Sequence, residues 1–223
     1  MSIVLIRHGE TPLNAARVIQ PADTPLSERG RAQAEAVARR LAVRAGGEGS
    51  TGTEFRGQGA GALAPVAILS SDLPRAFETA TAIAAATGLD LRATELLQER
   101  NFGALRGRAY DELGFDPLAT TDAPPGGESV ADFEARMARA FDEIVALRAG
   151  LGGDLIVVTH GLVIRTLLAR HARLAAGVEL PASLANTSVT VLAALAPHEA
   201  LLVNCIVHLE GAARDEGKGL SGF

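Results

Sequence analysis

Residues 3–11 read IVLIRHGET, a short apolar run that stops abruptly in polar residues. The first four are aliphatic and mostly β-branched, which predicts a buried strand, parallel to its neighbours and covered on both faces. Arg7 and His8 follow at the carboxyl end of that strand, where open α/β sheets place their ligands. Thr11 and Pro12 predict a helix start, with threonine as N-cap and proline at the first helical position. A guanidinium, an imidazole and a helix N-terminus within a few residues favour an anion, and a phosphate in particular.

Two further apolar runs end in the same way. Residues 66–69, VAIL, lead through polar residues to Arg75, and residues 155–158, LIVV, lead to His160 and Gly161. If the three strands are neighbours in one parallel sheet, their ends lie at one edge, and two histidines share a pocket with two arginines. Positive charges taken out of water cost a large desolvation energy unless an anion compensates them. The pattern therefore predicts a site for a dianion.

The rest of the chain alternates helical and strand periodicity, which favours an α/β fold. We expect a three-layer α/β/α arrangement around a mostly parallel sheet, with an antiparallel hairpin at its edge. Residues 95–128 have no clean period and are predicted to be loops. The other predicted elements are helices over 27–45, 74–87, 129–149 and 161–173, a partly exposed strand over 89–93, and a hairpin of 189–195 with 200–207.

The length of 223 residues suits a single domain over residues 1–210, with a glycine-rich surface insertion at about 46–64 and a loose polar tail at 211–223. No apolar run reaches the ~18 residues of a membrane span, and no signal peptide is evident. The net charge of −5, with scattered Lys and Arg, argues against nucleic acid as the main partner. Cys205 is the one cysteine and is expected to be a small buried side chain in a reducing, cytoplasmic setting. The oligomeric state is left open.

The two arginines determine the chemistry of the predicted site. Arg7 and Arg75 can each hold phosphoryl oxygens through two parallel hydrogen bonds. Their charge also keeps a neighbouring imidazole neutral, so that its nitrogen lone pair stays free to attack phosphorus. His160, if protonated when phosphate is bound, would stabilise the charge on the transferring group. Because two arginines repel a dication, a metal site built on the histidines is disfavoured, and we expect neither a metal nor a cofactor.

The chain resembles the histidine phosphatase superfamily in five motifs that occur in the same order. They are LIRHGET at 5–11 with Asn14, SDLPRA at 71–76 with Thr79 and Ala80, Glu99 ahead of Phe102 and Gly103, GES at 127–129, and VTHG at 158–161. The branch it resembles more narrowly contains the cofactor-dependent phosphoglycerate mutases and the fructose-2,6-bisphosphatase domain. Gly161 separates the chain from the acid-phosphatase and phytase branch, in which an aspartate at that position donates the proton. The resemblance implies a phosphoglycerate mutase-like fold.

The resemblance also implies residue roles. His8 would be the nucleophile that becomes phosphohistidine, and Glu99 would be the proton donor to the leaving alcohol. The implied catalytic residues are Arg7, His8, Arg75, Glu99 and His160, and the implied phosphate-binding residues are Arg7, Asn14, Arg75, His160 and Gly161.

The role of Glu99 also makes physical sense. A bound dianion raises the pKa of a neighbouring carboxyl, so that Glu99 can be protonated near neutral pH. Glu10 and Glu128 are weaker candidates, because a turn and a helix start usually keep carboxylates ionised. A capping role is favoured for Glu128 and Ser129.

Other polar residues keep two interpretations. Asn14 either binds phosphate or only caps its helix, and Gly9 is expected to let the chain approach a ligand closely. The remaining residues are Arg100, Arg106 and Arg108, which face either the substrate or water, and His171, His198 and His208, which are expected at the surface or on edge strands.

The function that this pattern favours is hydrolysis of small phosphomonoesters, without a metal, through a phosphohistidine. A phosphoglycerate mutase is the first alternative, and a non-catalytic phosphate-binding module is the second. Mutases of this family carry a longer, basic insertion after the motif around Glu99, whereas residues 109–129 contain no Lys or Arg and five acidic residues. A short, acidic segment is poorly suited to retaining a bisphosphate, which favours hydrolysis.

Overall fold

A computed structural model of the chain describes residues 1–42, 63–181 and 183–209, and these form seven strands and five α-helices. The strands are β1 (Ser2–Arg7), β2 (Pro65–Ser71), β3 (Leu91–Thr94), β4 (Asp154–Thr159), β5 (Arg173–Leu174), β6 (Val189–Ala193) and β7 (Glu199–Cys205). The helices are α1 (Pro12–Ala15), α2 (Glu28–Ala42), α3 (Pro74–Thr87), α4 (Val130–Ala149) and α5 (Gly161–His171). Short 3-10 turns occur at Glu95–Leu97, Gly103–Leu105, Tyr110–Glu112 and Val207–Leu209.

The strands form one mixed sheet in the order β3-β2-β4-β1-β6-β7-β5. The four strands from β3 to β1 are parallel, whereas β6 runs antiparallel to β1 and β7 runs antiparallel to β6. This confirms the predicted mostly parallel sheet with an antiparallel hairpin. The two-residue strand β5 pairs with β7, so it borders the hairpin on its outer side.

β1 shows why the sheet carries helices on both faces. Ile3 and Leu5 belong to an apolar cluster with residues of α4 and α5. Val4 and Ile6 point the other way, into a cluster with residues of α2 and α3. All four side chains are fully buried, so the strand has no face that water can reach. The predicted three-layer α/β/α arrangement is thereby confirmed.

Local sequence signals start and end the helices as expected. Thr11 caps α1, since its hydroxyl accepts the N–H of Asn14 at 3.1 Å and the Asn14 side chain accepts the N–H of Thr11 at 3.0 Å. Ser129 caps α4 through the N–H of Asp132 at 3.0 Å. Gly88 ends α3 in the left-handed conformation, with φ of 72°.

Some predicted boundaries differ from those in the structure, and others lie outside the residues that the structure describes. Helix α5 ends at His171 and not near residue 173, because Arg173 and Leu174 pair with β7. The strand predicted over 89–93 occupies Leu91–Thr94. The end of the helix predicted at 45, most of the insertion at 46–64 and the tail at 211–223 lie outside the described residues, and the single domain over 1–210 stays a prediction.

The three remaining histidines pack more closely than expected. The ring of His171 stacks on Phe141 with centroids 4.9 Å apart, and His198 meets the same ring edge-on at 5.0 Å. His208 is half-buried on the 3-10 turn after β7, and its Nε2 lies 3.1 Å from the hydroxyl of Thr187. Burial lowers the pKa of His208 to about 4.

Cys205 is buried as predicted, and its sulfur accepts a hydrogen bond from Arg40 at 3.4 Å. No helix of the described residues combines the length and apolar character needed to cross a membrane. The cytoplasmic setting stays a prediction.

Candidate active site

The two motif histidines meet at the carboxyl edge of the sheet because β1 and β4 are parallel neighbours. Arg7 pairs with Thr159 in the strand register, and His8 and His160 are the residues that directly follow the two strands. The N–H of His8 donates to the carbonyl of Thr159 at 2.9 Å. The two imidazole rings lie with centroids 5.1 Å apart, and both side chains are buried.

His8 has one ring nitrogen engaged by the backbone. Its Nδ1 lies 2.7 Å from the carbonyl oxygen of Gly9, which can only accept, so Nδ1 carries the proton and Nε2 keeps its lone pair. Burial lowers the pKa of His8 well below its ordinary value, and the charges of Arg75 and Arg7 lower it further. The ring is therefore neutral at physiological pH, as a nitrogen nucleophile must be.

Arg7 and Arg75 bring their positive charges beside His8 from two different elements. Arg7 ends β1 and donates to the carbonyl of Leu184. Arg75 stands in the first turn of α3 and donates through Nη1 to the carbonyls of Pro21 and Ala22, at 3.3 and 3.4 Å. Both side chains are buried, and burial lowers the pKa of Arg75 to about 10, so that it stays charged at neutral pH.

Asn14 caps its helix, which is one of the two roles predicted for it, and its role in phosphate binding stays a prediction. Its Oδ1 caps α1 by accepting the N–H of Thr11. Its Nδ2 is buried, has no hydrogen-bond partner among the described residues, and belongs to a side chain that lines the same cleft as His8 and Arg75. A phosphoryl oxygen would satisfy that donor.

His160 is neutral as well. Its Nε2 lies 2.9 Å from the hydroxyl of Ser71 at the end of β2. Burial lowers the pKa of His160 well below its ordinary value, and the charges of Arg75 and Arg7 lower it further. The protonated His160 of the sequence-based prediction thus requires a bound dianion to offset those charges.

Glu99 lies in the same cleft, on a loop, and its side chain contacts the first turn of α5. Its Oε1 accepts the N–H of Arg100 at 3.0 Å, and its Oε2 accepts the N–H of Leu162 at 3.3 Å. Burial raises the pKa of Glu99, while these hydrogen bonds and the charge of Arg75 oppose the shift. The carboxyl therefore holds a proton at higher pH than an exposed glutamate does.

The two rival carboxylates have structural partners. Glu10 accepts the hydroxyl of Ser27 at 2.9 Å, and its other oxygen lies 3.6 Å from Arg29. Glu128 receives Nε and Nη2 of Arg136 at 2.8 and 2.7 Å. Burial opposes ionisation of Glu128, but the hydrogen bonds from Arg136 and from the N–H of Asn101, together with the charges of Arg136 and Arg100, outweigh it and lower its pKa.

Arg136 also supports the segment that carries Glu99. It donates to the carbonyls of Leu96 and Gln98 at 2.8 and 2.7 Å. Arg136 thus ties α4 to the loop in front of Glu99. Sequence reasoning did not identify it.

A two-stranded backbone contact forms one wall of the cleft. The N–H of Ile19 donates to the carbonyl of Arg108 at 3.0 Å, and the N–H of Gly107 donates to the carbonyl of Ile19 at 2.7 Å. This wall supplies cleft-facing side chains in addition to the arginines and histidine at the end of the sheet. The cleft is lined by Arg7, His8, Asn14, Val18, Ile19, Gln20, Arg75, Glu99, Arg100, Phe102, Arg106, Tyr110, Gly161 and Leu162.

The three arginines that the sequence left open have different surroundings. Arg106 lines the cleft and has no ion pair with a described residue. Arg108 is exposed and lies 3.8 Å from Glu112. Arg100 also lines the cleft, but its guanidinium donates to the carbonyls of Thr120 and Glu128 at 3.3 and 3.2 Å, so it holds the loop in place.

Within the ranges that the structure covers, no three His, Cys, Asp or Glu side chains are arranged to hold a metal ion. The cleft instead combines several guanidinium groups with the unsatisfied amide donor of Asn14, which is the chemistry of an anion site.

A sequence-family model described as histidine phosphatase superfamily (branch 1) matches residues 3–46 and 54–203. The chain belongs to the histidine phosphatase superfamily. Among its relatives in that superfamily, phosphoglycerate mutase-like protein 4 of Arabidopsis thaliana is 37% identical over 201 residues, which span 85% of this chain and 77% of the relative.

Two solved structures show the same fold. Mycobacterial glucosyl-3-phosphoglycerate phosphatase in complex with VO3 matches with a TM-score of 0.66 at 31% identity, and the match covers 86% of this chain and 90% of the phosphatase chain. Phosphoglycerate mutase from Thermus thermophilus matches with a TM-score of 0.62 at 28% identity, covering 92% and 99%. Relatives of this chain thus include phosphatases and mutases, which act on small phosphorylated substrates.

Proposed function

We propose that this protein hydrolyses small phosphomonoesters, without a metal ion, through a phosphohistidine on His8. The observation that carries the proposal is the state of the His8 ring. It is buried, neutral, protonated on Nδ1 through the carbonyl of Gly9, and flanked by Arg7 and Arg75. A free Nε2 lone pair between two cations is suited to attacking the phosphorus of a bound dianion.

In the first step, Nε2 of His8 forms a bond to phosphorus while the bond from phosphorus to the ester oxygen breaks. Glu99 gives its proton to that oxygen, and the alcohol leaves. Donors on Arg7, Asn14 and Arg75 hold the three remaining phosphoryl oxygens, together with His160 and Gly161. The raised pKa of Glu99 supports its part, because the carboxyl must be protonated when the ester binds.

In the second step, water attacks the phosphohistidine. The carboxylate of Glu99 takes the proton from water, the bond from nitrogen to phosphorus breaks, and inorganic phosphate leaves. The cycle then returns His8 to its neutral form and Glu99 to its acid form. No metal ion or organic cofactor is needed in either step.

A mutase is the second candidate, because relatives carry that name. A mutase that depends on 2,3-bisphosphoglycerate must keep a bisphosphate intermediate bound, from the time the phosphohistidine gives it a phosphoryl group until its other phosphoryl group returns to His8. Residues 109–129 hold five carboxylates and no Lys or Arg, which favours release of that intermediate. An assay with 3-phosphoglycerate and 2,3-bisphosphoglycerate separates the two, since a mutase yields 2-phosphoglycerate and a phosphatase yields inorganic phosphate.

Turnover of 4-nitrophenyl phosphate with an excess of chelator tests the proposal. We expect activity that the chelator does not lower, and loss of activity on chelation would contradict the phosphohistidine route. His8→Ala should lower kcat by a factor on the order of 10³ or more, because the covalent route disappears. His171→Ala serves as the control, since that ring only stacks on Phe141. A chain that binds phosphate but turns over neither substrate would be the non-catalytic binding module.

A further inference from the structure

The peptide bond between His8 and Gly9 is held at both of its polar ends. Its carbonyl, on His8, accepts Nδ2 of Asn186 at 2.9 Å and the N–H of Thr187 at 3.3 Å. Its N–H, on Gly9, donates to the hydroxyl oxygen of Thr79 at 3.0 Å. These partners come from α3 and from the segment before β6, so two distant parts of the chain fix one peptide plane.

That plane determines where the His8 ring is anchored. The next carbonyl, on Gly9, accepts Nδ1 of His8 at 2.7 Å. Rotation of the peptide plane would displace this carbonyl and break its hydrogen bond with the N–H at Nδ1. The ring would then lose both its fixed tautomer and its direction.

Thr79 is built to accept rather than donate at this point. Its own hydroxyl proton goes to the carbonyl of Arg75 at 2.8 Å, which leaves an oxygen lone pair for the N–H of Gly9. The side chain is fully buried, so water cannot replace it. Because Thr79 and Arg75 lie on one helix, the contact also sets the His8 loop relative to Arg75.

Asn186 reaches two residues of the site at once. Besides the His8 carbonyl, its Nδ2 lies 3.5 Å from Oδ1 of Asn14, an orientation that leaves the Nδ2 of Asn14 to the cleft. Asn186 is fully buried, and its own Oδ1 has no hydrogen-bond partner among the described residues. The contacts of the Asn186 side chain with His8 and Asn14 are therefore made by its Nδ2 donor.

Thr187 adds a sign of constraint at the same place. It adopts a φ of 55°, which is rare for a β-branched residue, and such conformations persist where surrounding contacts impose them. In this conformation its N–H points to the His8 carbonyl.

We propose that Thr79 and Asn186 are positioning residues, which clamp the His8–Gly9 peptide and so keep Nε2 of His8 aimed at the substrate phosphorus. The inference rests on the proposed role of His8 as nucleophile. It predicts that loss of either clamp slows phosphoryl transfer while phosphate binding persists, because the arginines are unchanged and the N–H of Thr11 still holds the Oδ1 of Asn14.

The chain offers a matched control for Thr79. Thr81 lies on the same helix, and its hydroxyl donates to the carbonyl of Phe77 at 2.8 Å, the same distance as that from Thr79 to the carbonyl of Arg75. Unlike Thr79, Thr81 is exposed, and its hydroxyl does not bond to the His8–Gly9 peptide. Thr79→Val and Thr81→Val therefore remove the same helical hydrogen bond, and only the first removes the contact to Gly9. Thr79→Ser keeps the oxygen and should rescue.

The experiment measures the rate of phosphoenzyme formation by rapid acid-free quench with 4-nitrophenyl phosphate, and the inhibition constant of inorganic phosphate. For Thr79→Val we expect a loss of about 10- to 100-fold in that rate, the range that a misplaced reacting group costs, with the inhibition constant changed less than threefold. Thr81→Val and Thr79→Ser should stay within about threefold of the wild type in both. Asn186→Leu, which deletes the donor and no engaged acceptor, should behave as Thr79→Val does.

Equal rates for Thr79→Val and Thr81→Val would overturn the proposal, as would a loss that appears only in the inhibition constant. If Thr79→Val fails to fold, Asn186→Leu decides by the same two readouts. If the wild-type protein forms no phosphoenzyme, the proposed function itself is wrong. If the wild-type protein forms phosphoenzyme and the variants form it at the same rate, only the positioning proposal is wrong.

Discussion

His8 and Glu99 are pushed away from their ordinary protonation behaviour in opposite senses by one cause, burial. The pKa of the imidazole is lowered well below its ordinary value and that of the carboxyl is raised, so burial favours the neutral form of each group. A neutral base next to a neutral acid is the combination that nucleophilic attack with leaving-group protonation requires. The nearby arginines reinforce this at His8 and oppose it at Glu99.

Glu99→Gln keeps the shape of the side chain and removes the proton. Hydrolysis of an alkyl phosphate should slow by a factor of roughly 10² to 10⁴, whereas 4-nitrophenyl phosphate, whose leaving group is stable as an anion, should slow far less. The wild-type rate on the alkyl phosphate should also fall as pH rises through the raised pKa of Glu99. Steady-state kinetics on both substrates across pH measures this, and equal slowing of the two would point to another acid.

At the scale of elements, the loop after β1 packs against the first turn of α2 with no room for a side chain on either partner. A Cβ on Gly30 would collide with the carbonyl of Glu10, and a Cβ on Gly9 would collide with the carbonyl of Gly30. The absent side chain of Gly9 thus allows close contact with another backbone, and φ of Gly9 is not positive. The close approach of Gly9 to a ligand stays a prediction.

Gly30→Ala should lower the free energy of unfolding by about 1–3 kcal/mol, because backbone atoms must move to admit the methyl group. Gly152→Ala is the matched control, since a Cβ there meets nothing within 4 Å. Denaturant unfolding of the two variants measures the difference. Equal stability would show that the contact between the loop and α2 is looser than described.

The last 3-10 turn carries a titratable contact of its own. His208 has a pKa of about 4 in the folded protein, against about 6.5 in an unfolded chain. Between these values the unfolded state binds the proton more readily, so the stabilising contribution is present above pH 6.5 and is lost as pH falls towards 4.

His208→Gln retains a side-chain amide for Thr187 and cannot titrate. We expect the free energy of unfolding of this variant to fall less steeply between pH 6.5 and pH 4 than that of the wild type. Urea unfolding at a series of pH values measures both slopes. Identical slopes would mean that His208 is as accessible to protons in the folded protein as in the unfolded chain.

For the whole molecule, the net charge of −5 hides a local excess of positive charge in the cleft. Burial of β1 and β4 on both faces is what forces their polar ends to a shared edge. Beyond Ser2 and Asp154, the two strands hold only apolar side chains until Arg7 and Thr159 at the rim. The sheet thus concentrates cations that lie far apart in the sequence.

The strands and their polar ends could be predicted because each is a local pattern: a continuous apolar run followed by Arg, His or Ser. The positioning role of the clamp residues could not be predicted, because it depends on contacts between positions that are far apart in the sequence. Thr79 is 70 residues from Gly9 and Asn186 is 178 residues from His8, so no local spacing relates them. The loop around Glu99 had no period for a similar reason, since Arg136 on α4 holds its carbonyls.

The central claim is that His8 takes the phosphoryl group, and direct detection of that group tests it most directly. Wild-type protein mixed with a phosphomonoester and quenched at high pH, where phosphohistidine survives, should yield one phosphate on the peptide that contains His8, found by mass spectrometry. The label should disappear after mild acid and be absent in His8→Ala. A phosphate on another residue, or turnover by His8→Ala at the wild-type rate, would contradict the account.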